Sequence, residues 1–503
     1  MINYILVETI TANVQITAKV ERLRSRLEDL LRKMKKAVQD REPEIHLLPG
    51  DQQMSAINLI EYLTLRSEDI RSLQDELHIS GLSSLASSES HIVRQIQAIL
   101  ERLGKTYSKS EISRCDYYKG RELIKLRSEQ LFGKKKDARI PYLMVTFDTE
   151  FTDNYRLIKK LLVAGMNVAR INCAHDNAEI WENMIGLVRT ASEKEGIPCK
   201  VYMDLPGPKM RASILARGRF SGKIRVSEGQ EIMLAEKEAD YDPSDIVIGC
   251  DEEGVIGQLQ TGNRVLFDDG TIEGRVQSKN DGLAVLKIFR ITRGKPQIKV
   301  NAGINFPDTT FQLSSLTQSD RSLLPFICEN ADLVGYSFLR TKEDLAEFQN
   351  ELSKFDRRPN VVLKIETSEA VKNFPALLLQ GMRENVFGVM IARGDLAVEI
   401  GFERLSEIQE EILWISEAAH VPVIWATQVL ETLNKSGIAT RSEITDASYA
   451  AQTECVMLNK GDYIIEGIKT LNDILLRSGG HHVKKRYTFR PMKIAANFLH
   501  LNP

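Results

Sequence analysis

What the sequence lacks narrows the field before any motif is read. No apolar run approaches the roughly 20 residues that a membrane-spanning helix requires, so no such span is expected. The opening MINYILVETI has neither the basic start nor the long apolar centre of a secretory signal. An excess of one charge is also missing. Lys and Arg number 67 against 69 Asp and Glu, and a formal net charge of -2 supplies no general attraction to nucleic acid or an anionic membrane. The six cysteines, Cys115, Cys173, Cys199, Cys250, Cys328 and Cys455, show no CxxC or Cys/His spacing. Neither a zinc site nor a disulfide framework is signalled, and reduced, mostly buried thiols are expected. These absences leave a cytoplasmic protein with neither membrane nor nucleic-acid partners.

What is present exceeds one core. At 503 residues the chain is longer than the roughly 250 to 300 residues of a single hydrophobic core, so several domains are expected. Ile16, Val20, Leu23, Leu27, Leu30 and Met34 alternate steps of four and three, an a/d seam along one long helix. The breaker LPGD at Leu48 to Asp51 follows, and INLIEYLTL, DIRSLQDEL and HIVRQIQAILERL continue the helical period, with the Ser-rich SGLSSLASSES as a turn between them. Residues 1–137 therefore read as an all-helical domain whose apolar seam needs a partner surface, on the rest of the chain or on a second copy. The basic stretch FGKKKDARIP reads as a linker.

The pattern then changes to short apolar runs separated by amphipathic stretches. PYLMVTF, MNVARIN, CKVYMDL, DLVGYSF, NVVLKIE, GVMIARGD, VPVIWATQ and CVMLN make eight candidate strands, and strand-helix alternation of this length indicates a (β/α)8 TIM barrel over 138–208 and 304–480. Such barrels carry their working residues at the C-terminal ends of the strands, where Arg170, Asp204, Lys364, Glu366, Asp395 and Thr427 fall. A cation and two carboxylates at strand ends suit a metal-assisted phosphate site. The plainer alternative for Lys364 and Glu366 is a structural ion pair on one face of a strand. Residues 209–303 break the alternation with KIRVSEGQEIML, DIVIGC, NRVLFDDGTIEGRV and LAVLKIFR, an inserted β-barrel-like lid in which Asp268 to Gly270 read as a turn. Residues 481–503 form a tail.

The motifs AGMNVARINCAHD, MDLPGPKMRAS, LFDDGTIEGRV, VNAGINFPD, LVGYSFLR, VLKIETSEAV, GVMIARGDLAVEIG, VIWATQVLETL and TRSEITDASYAA stand in the order of the pyruvate kinase family, which this chain resembles from about Pro141 to Leu476. The resemblance implies phosphoryl transfer between phosphoenolpyruvate and ADP, giving pyruvate and ATP, with Mg2+ or Mn2+ and in a homo-oligomer. It implies catalytic roles for Lys364, Arg170, Thr427 and Ser337 and metal ligation by Glu366 and Asp395. It assigns the substrate carboxylate to the turn Ala392, Arg393, Gly394 and Asp395 with Thr427, and the nucleotide to Asn172, His175 and Arg211, with Asp269 at a second metal.

The departures from the family carry expectations of their own. TFDTEFTD stands where the family runs into TIGPAS, Ala174 replaces its Ser, Pro206 its Lys, and LNKGD shortens its SGETA stretch. Where potassium-dependent members hold K+, Ala174 and Leu205 take two ligand positions and Lys209 replaces a Glu, so the Lys209 ammonium is expected to stand in for the ion. The added N-terminal helices have no counterpart in the ordinary enzyme, and no C-terminal effector domain is expected. Two other functions remain open: a catalytically weak homologue that binds a metabolite or a partner, and a metal-dependent enolate enzyme on another 2-oxo acid.

Overall fold

The computed structural model describes residues 2–135, 140–236, 239–250, 254–268, 270–280, 282–292, 296–309, 314–384, 386–479, 482–483 and 486–487, with backbone alone for 2–16, 482–483 and 486–487. Eight parallel strands, β1 (Tyr142–Thr146), β2 (Val168–Asn172), β3 (Lys200–Asp204), β4 (Leu333–Tyr336), β5 (Asn360–Ile365), β6 (Gly388–Ala392), β7 (Val423–Ala426) and β8 (Cys455–Leu458), close into a barrel in sequence order. The (β/α)8 barrel expected from the alternation is present. The period of two divides each strand: Met144, Val168, Tyr202, Val362, Met390 and Ile424 fill the interior, while Leu143, Val201, Leu363 and Val389 face the surrounding helices. Two residues further along three of these strands, Arg170, Asp204 and Lys364 continue the inward row toward the C-terminal mouth.

The opposite end is plugged. Leu131 and Phe132, at the end of the helix Tyr117–Phe132, join the interior cluster. The Phe132 and Tyr142 rings lie 5.1 Å apart, and the Tyr142 hydroxyl donates to the Gly133 carbonyl at 2.7 Å.

The N-terminal region is helical as the seam requires, with α1 (Ile2–Gln39), α2 (Gly50–Arg66), α3 (Ile92–Arg102) and α4 (Tyr117–Phe132) as its longer members. Leu23, Leu27, Leu30 and Met34 are buried in one cluster with Leu59, Ile96 and Leu100, so this part of the stripe is covered within the chain; Val20 is half-buried and the Ile16 side chain lies outside the described residues. The region then docks on the barrel through α2, which packs against the barrel helix Leu405–Ala418. Asn58 donates to the carbonyls of Glu89 and Ala418, both at 2.8 Å. Arg127 donates to the carbonyls of Ala419 and His420, both at 3.0 Å, and His420 meets Ser55 Oγ at 3.0 Å and the Ser90 carbonyl at 2.9 Å. The last turn of a helix leaves carbonyls without intrahelical partners, and these side chains satisfy them.

Between β3 and β4 the chain leaves the barrel for a seven-stranded sheet with its own apolar core, including Ile232, Leu234, Val265, Phe267, Leu286 and Ile298. Its last strand, Ile304–Asn305, returns beside the exit, where Arg211 and Gly303 pair.

Candidate active site

The mouth is built from the strand ends inward. Arg170 sits two residues beyond Val168 and donates Nε and Nη2 to Asp204 Oδ2 at 3.1 and 2.5 Å, with Nη1 on Thr146 Oγ1 at 3.0 Å. Lys364 Nζ lies 2.7 Å from Ser337 Oγ, 2.9 Å from Glu366 Oε1 and 3.3 Å from Asp204 Oδ1. Ser337 donates its own hydroxyl hydrogen bond to the Leu205 carbonyl at 2.6 Å, and Glu366 Oε2 accepts the Phe338 N–H at 2.8 Å. Phe338 holds a left-handed backbone, φ 55°, a strain kept by that bond and its surroundings. Two cations and two carboxylates thus interlock with almost no exposure: 1% for Asp204, 2% for Glu366 and 8% for Lys364.

Burial alone would neutralise these groups, and the pairing decides which way each moves. For Lys364 burial disfavours the ammonium, but Asp204 and Glu366 outweigh it and hold the group above its ordinary value. Asp204 is likewise opposed by burial and ends below the usual carboxylate range because Lys364 and Arg170 flank it. Glu366 goes the other way. Burial raises its carboxyl, Lys364 opposes, and the negative charge of Asp395 adds to the rise.

Asp395 opens the helix Arg393–Ile400 after β6, and its Oδ1 lies 2.7 Å from Lys209 Nζ. Lys209 therefore points inward, not to solvent. The Glu366 and Asp395 carboxylates, close enough that the charge of Asp395 raises Glu366, are donors of the type a hard divalent cation takes, while no group of three or more His, Cys, Asp or Glu that could hold an ion gathers among the described residues. Mg2+ is commonly held in this way, by one or two carboxylates with substrate oxygens and water completing the shell.

In the turn Ala392 to Asp395, to which the resemblance assigns the substrate carboxylate, one backbone N–H is engaged within the protein. The Gly394 N–H already donates to Thr427 Oγ1 at 2.9 Å. The Arg393 side chain runs to the end of β7, donating to the Ala426 carbonyl at 2.9 Å and to the Thr427 carbonyl, pairing with Asp446, and lying 4.5 Å from the Trp425 ring centroid. There it supports a turn in which Thr427, Gln428 and Leu430 all have positive φ. Arg393 is a brace for Thr427.

The other expected residues lie farther out. Asn172 Oδ1 accepts the Ala174 N–H at 3.2 Å beside Asp204 on the neighbouring strand. His175 is exposed on the loop after β2, and Arg211 at the root of the inserted module donates to the Asn301 carbonyl at 3.1 Å. Asp269 lies outside the described residues. Sequence reasoning missed Tyr202, fully buried inside the barrel, whose hydroxyl donates to Asp204 Oδ1 at 3.0 Å. Its room comes from Gly335 on β4: a Cβ there would stand 2.0 Å from the Tyr202 hydroxyl and 2.2 Å from Asp204 Oδ1. The available signal was the i, i+2 spacing of Tyr202 and Asp204, which puts phenol and carboxylate on one face.

Comparison with known proteins agrees with this architecture. The family model described as "Pyruvate kinase, barrel domain" matches residues 143–468. Proteins described as pyruvate kinase from Staphylococcus aureus strains USA300, COL and N315 are each 30% identical over 330 residues, covering 64% of this chain and 54% of theirs. The chain thus spans about half the length of the curated relatives it matches.

Proposed function

The chain belongs to the pyruvate kinase family, and on that premise we propose that it moves a phosphoryl group between phosphoenolpyruvate and ADP at the barrel mouth. The observation that carries the reading is the interlocked set Arg170, Asp204, Lys364 and Glu366 beside Asp395, cationic groups held ready with little room to reorganise. In the forward direction a β-phosphate oxygen of ADP forms the new P–O bond, the bond to the enol oxygen breaks, and the enolate takes a proton at its terminal carbon to become pyruvate. Lys364 would neutralise the phosphoryl oxygens in flight and Arg170 would clamp them with its planar fork. Thr427 Oγ1 accepts from Gly394, so its own proton is directed elsewhere and can pass toward the enolate carbon. Glu366 and Asp395 would hold Mg2+ or Mn2+, which supplies charge neutralisation and orients the phosphate and carboxylate oxygens. The Lys209 ammonium beside Asp395 would supply a fixed positive charge at the mouth, which supports the reading that turnover needs no K+.

A second reading, a homologue that binds the metabolite without efficient turnover, is favoured by the engagement of Asp395 with Lys209 and of the Gly394 N–H with Thr427. A coupled pyruvate assay with phosphoenolpyruvate, Mg2+ or Mn2+ and a panel of nucleoside diphosphates separates the two. The first reading expects turnover that is equal in K+ and tetramethylammonium buffers at constant ionic strength. The second expects saturable binding of phosphoenolpyruvate with no nucleotide-dependent pyruvate.

A further inference from the structure

Two passages join the inserted module to the barrel, and both meet the same helix. On the outgoing passage Lys209 Nζ lies 2.7 Å from Asp395 Oδ1, and on the returning one Asn305 Nδ2 donates to Glu399 Oε1 at 3.4 Å. A third meeting is apolar. The module's turn brings Gly270, at φ 79°, over the helix, where a Cβ would stand 3.9 Å from the Val398 methyls and 4.0 Å from the Phe402 ring. Asp395, Val398 and Glu399 are spaced i, i+3 and i+4, so a single stripe of the helix Arg393–Ile400 receives all the contacts, and Phe402 extends it by one turn. Beside the stripe lies a solvent-open cleft of about 220 Å³ lined by Lys209, Met210, Asn305, Phe306, Phe338 and Glu399. Asn305 is 6% exposed, and its Oδ1 has no hydrogen-bond partner among the described residues.

We propose that this stripe is the seat that fixes the inserted module beside the mouth, and that Asn305 and Glu399 are positioning residues that hold the root of the module relative to Asp395. Its catalytic consequence rests on the phosphotransferase reading; the seat itself does not. A carboxylate at 399 uses only the donor side of the Asn305 amide and leaves Oδ1 bare, whereas an amide would pair with both sides. Glu399→Gln therefore keeps the latch, and Glu399→Ala and Asn305→Ala release it.

The test is hydrogen exchange on the full chain over residues 205–211 and 301–309, together with kcat and KM for phosphoenolpyruvate. Glu399→Ala and Asn305→Ala are each expected to speed exchange there about fivefold, the equivalent of one hydrogen bond. They should lower kcat about tenfold with a smaller change in KM, and the double variant should be no worse than either single one. Glu399→Gln should return exchange to the wild-type rate. Unchanged exchange in both alanine variants, or losses that add, would overturn the seat. If the wild type transfers no phosphoryl group, the phosphotransferase reading fails while the exchange measurement still decides the latch.

Discussion

Two buried polar networks in this chain are made of different residue types and solve opposite problems. Where the helical region docks on the barrel, Asn58, Arg127 and His420 spend their polar atoms on backbone carbonyls and hydroxyls, with a single charged group, Arg127, among them. Burial lowers the Arg127 guanidinium to about 10, a shift that leaves it charged. At the mouth Arg170, Asp204, Lys364 and Glu366 bond mainly to one another, charge against charge, and burial, with the charge of a further carboxylate, Asp395, keeps Glu366 raised. A network that only holds surfaces together needs satisfied carbonyls. One that concentrates charge at an open strand end costs stability and returns it only when a ligand arrives.

The contrast breaks most sharply at Lys364. Lys364→Met should cut turnover by on the order of 10² to 10⁵ and also lower the melting temperature, because it leaves the buried carboxylates of Asp204 and Glu366 with one cation fewer. Near-normal steady-state kinetics would make the mouth a structural ion pair after all. Arg127→Met should cost stability alone and spare turnover. It leaves the Ala419 and His420 carbonyls bare and should cost about 1 to 3 kcal/mol in denaturant unfolding, with kcat at low temperature preserved. A kcat loss matching that of the mouth variants would erase the distinction between the two networks.

Tyr202→Phe sharpens the comparison from within the mouth. It removes only the hydroxyl that pins Asp204, and a fall in kcat of about tenfold with KM nearly constant is expected. An unaffected kcat would reduce Tyr202 to core filling. The smallest effect belongs to the helical side, where burial pushes the Glu61 carboxyl up to about 8. A carboxyl whose folded value lies above its unfolded value stabilises fully below the unfolded one, near 4.5, and that contribution is lost as pH rises through 8. Glu61→Gln should therefore melt like the wild type at pH 4 and several degrees higher at pH 9. Parallel melting curves across that range would contradict the burial of Glu61.

The barrel was legible because alternation of period two, broken by helical stretches, leaves few other ways to cover both faces of parallel strands. That same period placed Arg170, Lys364 and Glu366 at one mouth. The seam from Leu23 to Met34 was equally plain, but not its partner, since an apolar stripe specifies no particular surface. The docking network was invisible for a different reason: Asn58 and Arg127 act on backbone carbonyls, which carry no sequence signature. Tyr202 reads as an ordinary core aromatic until Gly335 is found across the barrel making room for its hydroxyl. The bond from the Gly394 N–H to the Thr427 hydroxyl, 33 residues on, had no signal either, since a loop contact across two strand ends leaves no periodicity.

Phosphorus NMR on the full chain with phosphoenolpyruvate, ADP and Mg2+ tests the central claim most directly, because donor, acceptor and any side product are seen at once. The account predicts that the phosphoenolpyruvate resonance declines as the three ATP resonances grow, and that Glu366→Gln stops the exchange. Loss of the phosphoenolpyruvate signal to inorganic phosphate alone, or a bound resonance that never yields ATP, would contradict it.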